Sequence, residues 1–406
     1  TSYGRTRKPP PPPPMKTSKA DRISHHLPEE IIEEILYRLP VKSLLRFKCV
    51  SQSWRSLIST KQFVETHLQH SKKIESLTDK RIISTCKNSS KSSPGRLKAC
   101  SLSSLLTEPV TRAVSFDFFP LNSSRDIVIV GSCNGLISVL VDACRFFLLN
   151  PSTREFKELP DFFTGTTCPK NLGSISGYGF GFDESRCDYK VYAVFTMTTP
   201  YDRDVGFPSK SVARVYSLKA DSWGVNVFFE DRWTIGQGKF VSGKLHWINY
   251  YKTKLKWEIV CFDLTNESFG TVERPSCMEG CYIPRLGVFK GCLCMSFDCA
   301  LTVGSDILIW NKYGAEDSWS ELLSISYLSV FGNSSFTRMF NRVTPLFVLP
   351  SGEILFTSGS DFLIYNKKDG CVKQRHTVDF DCDRFREAEA YTESLVSLVP
   401  DNIAFF

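Results

Sequence analysis

The chain has 406 residues, of which 42% are hydrophobic and 23% are charged. This balance is typical of globular proteins and excludes a chain that is disordered throughout. The net charge is +7, but the first twenty residues hold five basic and no acidic side chains, which leaves 7 − 5 = +2 for the rest. A nearly neutral body does not predict nucleic-acid binding.

The cysteines are the next compositional feature: the sequence has 15 of them, with only six histidines. No Cys-x-x-Cys pair and no secretory signal occur in it. We therefore expect reduced cysteines in a cytoplasmic or nuclear protein. Zinc sites combine closely spaced cysteine pairs with histidines. Since the sequence lacks that pattern, we predict no metal and no cofactor.

Residues 1–26 are predicted to form a disordered tail rich in proline and basic side chains. Pro9–Pro14 is a run of six prolines, which favours the extended polyproline II conformation and offers nothing to a packed core. A proline-rich ligand for another domain is the alternative interpretation of this run.

Residues 27–70 carry a helical pattern. Pro28 suits a first helical position, and Glu29 and Glu30 suit the positive end of the helix dipole. The apolar residues of this helix recur at helical spacing: Ile31, Ile32, Ile35, Leu36 and Leu39. Pro40 ends it, a short second helix follows, Ser51 can cap a third, and a fourth begins near residue 60. A core of under about 70 residues is marginal, so some of this apolar surface is predicted to contact a partner.

A β pattern begins near residue 80, after a predicted linker at 71–79. Apolar residues, a turn and a closing aromatic or apolar residue recur five times: Leu148–Phe156, Val215–Trp223, Cys261–Phe269, Ile309–Trp319 and Ile364–Val372. A period near 50 residues with about four strands per unit predicts a β-propeller over residues 80–406. A sixth blade is predicted from both ends of this region, with strands Arg81–Cys86, Leu97–Ser103 and Ser394–Val399. A pair of β-sandwiches is the alternative.

One apolar segment, residues 127–149, is long enough for a membrane span. Asn134-Gly135 interrupts it, and Asp142 and Arg145 place charges within it. Because charges that face lipid are costly, we predict consecutive buried strands with a turn and no membrane partner.

Two regions resemble one known family. Residues 27–68 resemble an F-box in order, spacing and residue type, through Leu27-Pro28-Glu29-Glu30, Arg38-Leu39-Pro40-Val41-Lys42-Ser43-Leu44 and Ser53-Trp54-Arg55. Residues 80–400 resemble the F-box-associated, kelch-like region of plant F-box proteins, through Asn150-Pro151-Ser152-Thr153-Arg154, Asp188-Tyr189-Lys190-Val191 and Asp221-Ser222-Trp223. Gln52 stands where the plant pattern usually has lysine, and the kelch double glycine is absent. The expected fold class is α+β multidomain: a small all-α F-box followed by an all-β, kelch-like propeller of about six blades.

The resemblance implies a function without bond chemistry. An F-box docks onto a Skp-type adaptor, which is carried by a cullin–RING scaffold, while the C-terminal domain holds a protein substrate for ubiquitin transfer. The expected adaptor-binding residues are Leu27, Pro28, Ile31, Ile35, Leu39, Pro40, Leu44, Val50 and Trp54. About half of them are expected to contact the adaptor and half to pack the helices, with Trp54 on the core side and Leu27 and Pro28 on the contact side.

The substrate-binding residues are not predicted individually, because propeller ligands usually meet loops at one end of the ring. The longest irregular loops are the candidates: Thr164–Ser174, Pro200–Ser211 and Ser329–Arg342. Trp223, Phe269 and Trp319 are expected to pack between blades, and His246 to be a core histidine. Two other functions remain: an enzyme on a kelch-like scaffold, such as a copper oxidase, and an interaction module that acts outside a ligase.

Overall fold

The structure is a computed structural model. It describes residues 27–73, 77–87, 95–108, 110–119, 126–163, 173–197, 210–224, 227–229, 233–234, 236–251, 256–275, 284–299, 304–310, 319–326, 343–358, 361–379 and 384–399. The predicted tail 1–26 therefore lies outside the described residues.

Four helices open the described chain, as the sequence predicts: α1 (Glu29–Tyr37), α2 (Val41–Phe47), α3 (Gln52–Ser59) and α4 (Lys61–Lys73). Pro28 and Pro40 stand at the N-caps of α1 and α2, where a missing N–H costs nothing. The Ser51 hydroxyl accepts a hydrogen bond from the Trp54 amide at 3.1 Å and caps α3. The last helix extends three residues beyond the predicted end of the helical region.

The rest of the described chain is almost entirely β-strand, with one further helix, α5 (Leu102–Thr107). In chain order the strands are β1 (Lys80–Lys87), β2 (Arg96–Ser101), β3 (Thr111–Arg112), β4 (Val114–Ser115), β5 (Ile127–Cys133), β6 (Leu136–Val141), β7 (Arg145–Asn150), β8 (Glu155–Glu158), β9 (Gly173–Asp183), β10 (Asp188–Met197), β11 (Lys210–Ser217), β12 (Ser222–Trp223), β13 (Val227–Phe229), β14 (Trp233–Thr234), β15 (Gly236–Gln237), β16 (Lys239–Val241), β17 (Lys244–Tyr251), β18 (Lys256–Asp263), β19 (Ser268–Val272), β20 (Arg285–Phe289), β21 (Cys292–Cys299), β22 (Gly304–Trp310), β23 (Trp319–Ser326), β24 (Val343–Val348), β25 (Ile354–Ser358), β26 (Asp361–Asn366), β27 (Cys371–Asp379) and β28 (Arg384–Thr392).

The described strands form six sheets, which are the blades of a propeller. The first blade is β5 to β8, the second is β9 to β13 with β15, and the third is β14 with β16 to β19. The fourth is β20 to β23, and the fifth is β24 to β27 with β3. Around the centre, β5 contacts β9 and β28, and β24 contacts β20 and β28. The segment suspected of spanning a membrane forms β5, β6 and β7 of the first blade, as predicted.

Both ends of the propeller region build the sixth, closing blade, in the strand order β28-β1-β2-β4. Strands β1 and β2 are those predicted, except that Leu102 and Ser103 begin α5 instead of ending β2. The prediction that Ser394–Val399 is the closing strand was wrong, because β28 pairs with β1 along almost its whole length. Residues 394–399 do not form a strand. Part of their backbone is hydrogen-bonded by side chains of the first blade instead of by a neighbouring strand.

The five sequence repeats are the hairpins between the third and fourth strands of the blades. In each copy the second residue and the closing residue are cross-strand partners, as in Leu149 with Phe156, Tyr216 with Trp223 and Phe262 with Phe269. In three blades an Asn or Asp side chain accepts two backbone N–H groups of the turn that follows: Asn150, Asp263 and Asn366. The repeat therefore encodes one turn geometry that recurs blade by blade.

The closing aromatic residues join neighbouring blades, as predicted. The Trp223 indole N–H donates to the Pro160 carbonyl of the preceding blade at 2.7 Å, and Trp319 donates to Glu273 at 2.9 Å. Phe269 packs near Tyr192 of the second blade, with ring centroids 6.2 Å apart. Each ring thus fills the space between two sheets, and the two tryptophans also satisfy their indole N–H groups there.

Candidate functional site

Four large apolar side chains of the helical region face solvent, two on α1 and two in the segments beside the helices. Leu27 is 57% exposed, Ile31 47%, Ile35 46% and Val50 63%. Ile31 and Ile35 are four residues apart, so their side chains lie one above the other on one side of α1. We call these four residues the docking face. A soluble protein normally hides such residues unless a partner covers them.

The same helix turns its other side inward. Leu36 is buried, and Ile32 and Leu39 pack against the core while partly exposed. The apolar stripe of α1 predicted from sequence is thus divided between two surfaces, one in the core and one in solvent. The division follows from helical geometry, because Ile32 and Leu36 lie about 100° around the helix from Ile31 and Ile35.

The remaining predicted docking residues divide similarly. Pro28 is exposed, and Leu39, Pro40 and Trp54 are half-buried. Trp54 packs edge-on against Phe47, with ring centroids 5.4 Å apart. Leu44 is completely buried among the helices. Leu44 therefore offers no surface to a partner, and we correct its assignment from docking residue to core residue.

Charged side chains flank the docking face. Glu29, Glu30 and Glu34 are exposed on α1, and Arg38 pairs with Glu34 at 2.8 Å. Glutamates in the first turn also favour the helix through its dipole. On the neighbouring helices, Lys42, Arg46 and Arg55 are exposed. An apolar centre with a charged rim is the usual composition of a protein–protein interface.

His67 fixes the helices in place and was not singled out in the sequence. It is 2% exposed, and its Nε2 lies 2.8 Å from the Leu39 carbonyl, so the ring joins α4 to the end of α1. It also stacks at 6.3 Å on Phe63, which stacks on Tyr37. Burial lowers the pKa of His67, which keeps the ring neutral near pH 7.

The helices share one hydrophobic core with the propeller. Leu36, Leu44 and Phe63 belong to the same buried cluster as Leu136 of the first blade and Val396 near the C-terminus. Where the two parts meet there is a cavity of about 110 Å³, lined by Tyr37, Arg38, Leu39, Pro40, His70, Ser71, Thr78, Asp79, Lys80 and Thr392. Burial raises the pKa of Asp79 in this wall. The helical module is therefore packed onto the ring and not merely tethered to it.

The helices mark one end of the propeller, which we call the helix end. The β5–β6 turn at Gly135 and the β7–β8 turn at Ser152 both approach Ser394 there. Because strands alternate in direction, two kinds of connection lie at the opposite, far end: those from the second to the third strand of a blade, and those from the fourth strand of one blade to the first strand of the next. The strand ends that flank the three candidate loops therefore lie at the far end: Gly173, Met197, Lys210, Ser326 and Val343. Of the predicted loops, residues 164–172, 200–209 and 329–342 lie outside the described residues, whereas residues 173–174 and 210–211 belong to strands β9 and β11 and not to loops.

The propeller histidines occupy separate positions. His246 is fully buried in β17, where its Nδ1 donates to the Lys239 carbonyl at 3.1 Å, so it is the satisfied core histidine that the sequence predicts. His376 lies two blades away in β27. Across the described ranges, no three His, Cys, Asp or Glu side chains are grouped so as to hold a metal ion. A copper-oxidase arrangement finds no support in this part of the chain.

We expect the protein to lose stability as the pH falls from about 6.5 towards 4. Burial lowers the pKa of His246 from its ordinary value of 6.5 to about 4. Between these values the unfolded chain binds a proton that the folded chain does not, which costs about 1.4 kcal/mol per pH unit and roughly 3 kcal/mol in total. Urea unfolding at pH 7.5 and pH 4.5 measures the loss. The His246→Gln variant should lose less on acidification, and an equal loss in both proteins would contradict the assignment.

Among the described helices, the longest is α4 with 13 residues, and none combines the length and apolar character required to cross a bilayer.

Comparison with known proteins agrees with this architecture. A family model described as F-box domain matches residues 24–66, and one described as F-box associated beta propeller domain matches residues 95–398. The F-box/kelch-repeat protein At3g23880 of Arabidopsis thaliana is 31% identical over 92% of this chain and 96% of its own length. The F-box protein CPR1 of the same plant is 26% identical over 74% of this chain and 73% of its own. Among solved structures, TolB from Acinetobacter baumannii matches with a TM-score of 0.43 and 11% identity, over 81% of this chain and 72% of that one.

A helical module with an exposed docking face, packed on a six-bladed propeller, defines a class of two-part protein-recognition molecules. Within that class the chain belongs to the F-box proteins that carry an F-box-associated β-propeller domain.

Proposed function

We propose that this protein is the substrate-recognition subunit of an SCF-type ubiquitin ligase in the cytoplasm or nucleus. In this proposal the F-box binds a Skp-type adaptor, which joins it to a cullin–RING scaffold, and the propeller binds the target protein. The observation that carries the proposal is the docking face of Leu27, Ile31, Ile35 and Val50, which is exposed within a segment that matches an F-box.

The protein itself breaks and forms no bonds in this scheme. A separate conjugating enzyme transfers ubiquitin, and the receptor raises the effective concentration of a target lysine near that enzyme. The required properties are therefore two binding surfaces and a stable connection between them. The core shared by helices and propeller supports the second requirement.

The target is proposed to bind at the far end of the propeller. The three predicted loops fall between described strands whose ends lie at the far end of the propeller, opposite the helix end. Loops on a rigid scaffold can vary in sequence without disturbing the fold, and for this reason they carry specificity in many proteins. This arrangement leaves both surfaces free to be occupied at once.

The test is co-purification with a plant Skp-type adaptor, beside a Leu27→Ala/Pro28→Ala double variant. Each lost anchor at an interface centre costs about 1–3 kcal/mol, so the wild-type chain should retain the adaptor and the variant should lose most of it. Both side chains are exposed, so the variant should unfold at the wild-type temperature. If neither protein captures the adaptor, the helices only cover the propeller, and an interaction module outside a ligase becomes the better account.

A further inference from the structure

Six residues that follow the closing strand, Ser394–Val399, run between the propeller and the helices. We call them the C-terminal strap. Leu395, Val396 and Leu398 of the strap are buried, and they belong to the core cluster that contains Leu36 and Phe63 of the helices. The strap thus lies in the junction that joins the docking helices to the ring.

Asn150 of the first blade holds this strap. Its side chain is completely buried, and its Nδ2 donates to the Ser394 carbonyl at 3.1 Å and to the Val396 carbonyl at 2.6 Å. Its Oδ1 accepts from the Ser152 and Thr153 amides, as part of its own turn. One amide therefore uses its acceptor for the blade and both donors for the strap.

Two further contacts bring the strap close to the first blade. The Ser394 amide donates to the Ser152 hydroxyl at 3.3 Å, and the Leu398 amide donates to Glu155 at 3.3 Å. Gly135 has φ +83°, and a Cβ there would lie 2.2 Å from the Ser394 hydroxyl oxygen. Only glycine fits a turn this close to the strap.

The equivalent turn in the third blade shows what is special about Asn150. Asp263 accepts two turn amides at 2.9 and 3.0 Å, which is the same task that the Asn150 Oδ1 performs. An aspartate is therefore sufficient for the turn. The amide nitrogen of Asn150 is not needed for the blade, and the two bonds it makes are to the strap.

We propose that Asn150 is a positioning residue: through the C-terminal strap, it fixes the orientation of the docking helices relative to the propeller. A fixed orientation would hold the far end of the propeller in one direction relative to the adaptor. The consequence of this for ubiquitin transfer rests on the proposed function. The geometric part does not depend on any partner and can be measured on the free chain.

The experiment is a distance measurement between two spin labels in the full chain. One label replaces exposed Gln69 on α4, and the other replaces exposed Glu321 on β23. Because the chain has 15 cysteines, the labels are introduced as non-natural amino acids. The test variant is Asn150→Asp, which keeps the turn acceptor and loses both donors to the strap. The matched control is Asp263→Asn, which makes the reverse exchange in the equivalent turn.

The wild-type chain and Asp263→Asn should give one narrow distance distribution, and Asn150→Asp a distribution broader by several ångströms, with adaptor affinity changed less than about twofold. Leu398→Ala removes a buried side chain of the strap itself and leaves Asn150 intact. This variant should also broaden the distance distribution, and it provides the test if Asn150→Asp proves poorly folded. Narrow distributions in the folded variants would overturn the proposal, as would equal broadening in Asp263→Asn. Loss of adaptor capture by the wild-type chain would instead refute the proposed function and leave this result standing.

Discussion

An Ile31→Glu/Ile35→Glu variant is expected to bind the Skp-type adaptor about 100-fold more weakly than the wild-type chain. The two side chains lie on one side of α1, and each is nearly half exposed in the free protein. Once covered by a partner, a carboxylate at either position would be buried without a counter-charge, which costs several kcal/mol. Two lost anchors at about 1–3 kcal/mol each total about 2–6 kcal/mol, a range that contains the roughly 2.8 kcal/mol of a 100-fold change, since about 1.4 kcal/mol is tenfold in affinity.

A matched control comes from the propeller rim, where Val114 is 66% exposed on β4. Val114→Glu adds the same kind of charge to an exposed aliphatic position outside the F-box. Calorimetric titration with the purified adaptor should show wild-type affinity for Val114→Glu. Equal weakening in both variants would indicate a general effect of surface charge, and full binding by the isoleucine variant would rule out the docking face.

A Lys190→Ala variant is expected to be strongly destabilised. The Lys190 Nζ lies 3.1 Å from the Asp183 carboxylate, 2.8 Å from Glu267 and 2.6 Å from the Leu264 carbonyl, so it joins the second blade to the third. The side chains of Lys190 and Asp183 are 3% and 0% exposed. Removing one partner of a buried ion pair leaves an uncompensated charge and costs about 3–5 kcal/mol.

When Lys190 is removed, the Asp183 carboxylate cannot easily become neutral by binding a proton. Burial alone would raise its pKa, but hydrogen bonds from Ser185, Thr265 and Lys190 outweigh burial and hold the pKa below the ordinary value. The group is therefore ionised at neutral pH. Without Lys190, the positive charge that remains beside Asp183 is the Arg186 guanidinium, at a distance of 4.0 Å.

The control for this variant is a second lysine–aspartate pair between blades. Lys157 of the first blade pairs with Asp221 of the second at 2.9 Å, but 25% and 47% of the two side chains are exposed. Exposed pairs contribute about 0–1 kcal/mol. Urea unfolding should therefore place Lys157→Ala near the wild type and Lys190→Ala far below it. Similar midpoints for the two variants would show that burial does not determine the contribution of the pair.

The local parts of the fold could be predicted from the sequence because short-range chemistry determines them. Pro28, Pro40 and Ser51 mark helix starts by their backbone and capping properties, and the structure has helices at each. Asn150 and Asp263 occupy the same position of the repeat because each accepts turn amides in the equivalent hairpin of its own blade. A period of about 50 residues then indicates blades, since one blade cannot bury its faces alone.

The long-range parts could not be predicted in the same way. The sequence indicates that Ser394–Val399 is apolar, but strand and strap have the same composition, and only the pairing of β28 with β1 decides between them. Leu44 and Ile31 are both aliphatic residues on short helices, and which one is buried depends on where the propeller packs. Lys190 and Glu267 are 77 residues apart, so nothing local relates them.

The closing blade and the strap also affect the order in which the protein can complete its fold during synthesis. The helices leave the ribosome first, yet the strap on which they rest is among the last described segments to be made. Domains generally begin to fold while the chain is still growing. A chain that ends before residue 394 lacks the strap that we propose orients its helices, and a chain that ends before β28 also leaves β1 as an open edge. A truncated product is therefore expected to differ from the full chain in the packing of its N-terminal helices as well as at its C-terminus.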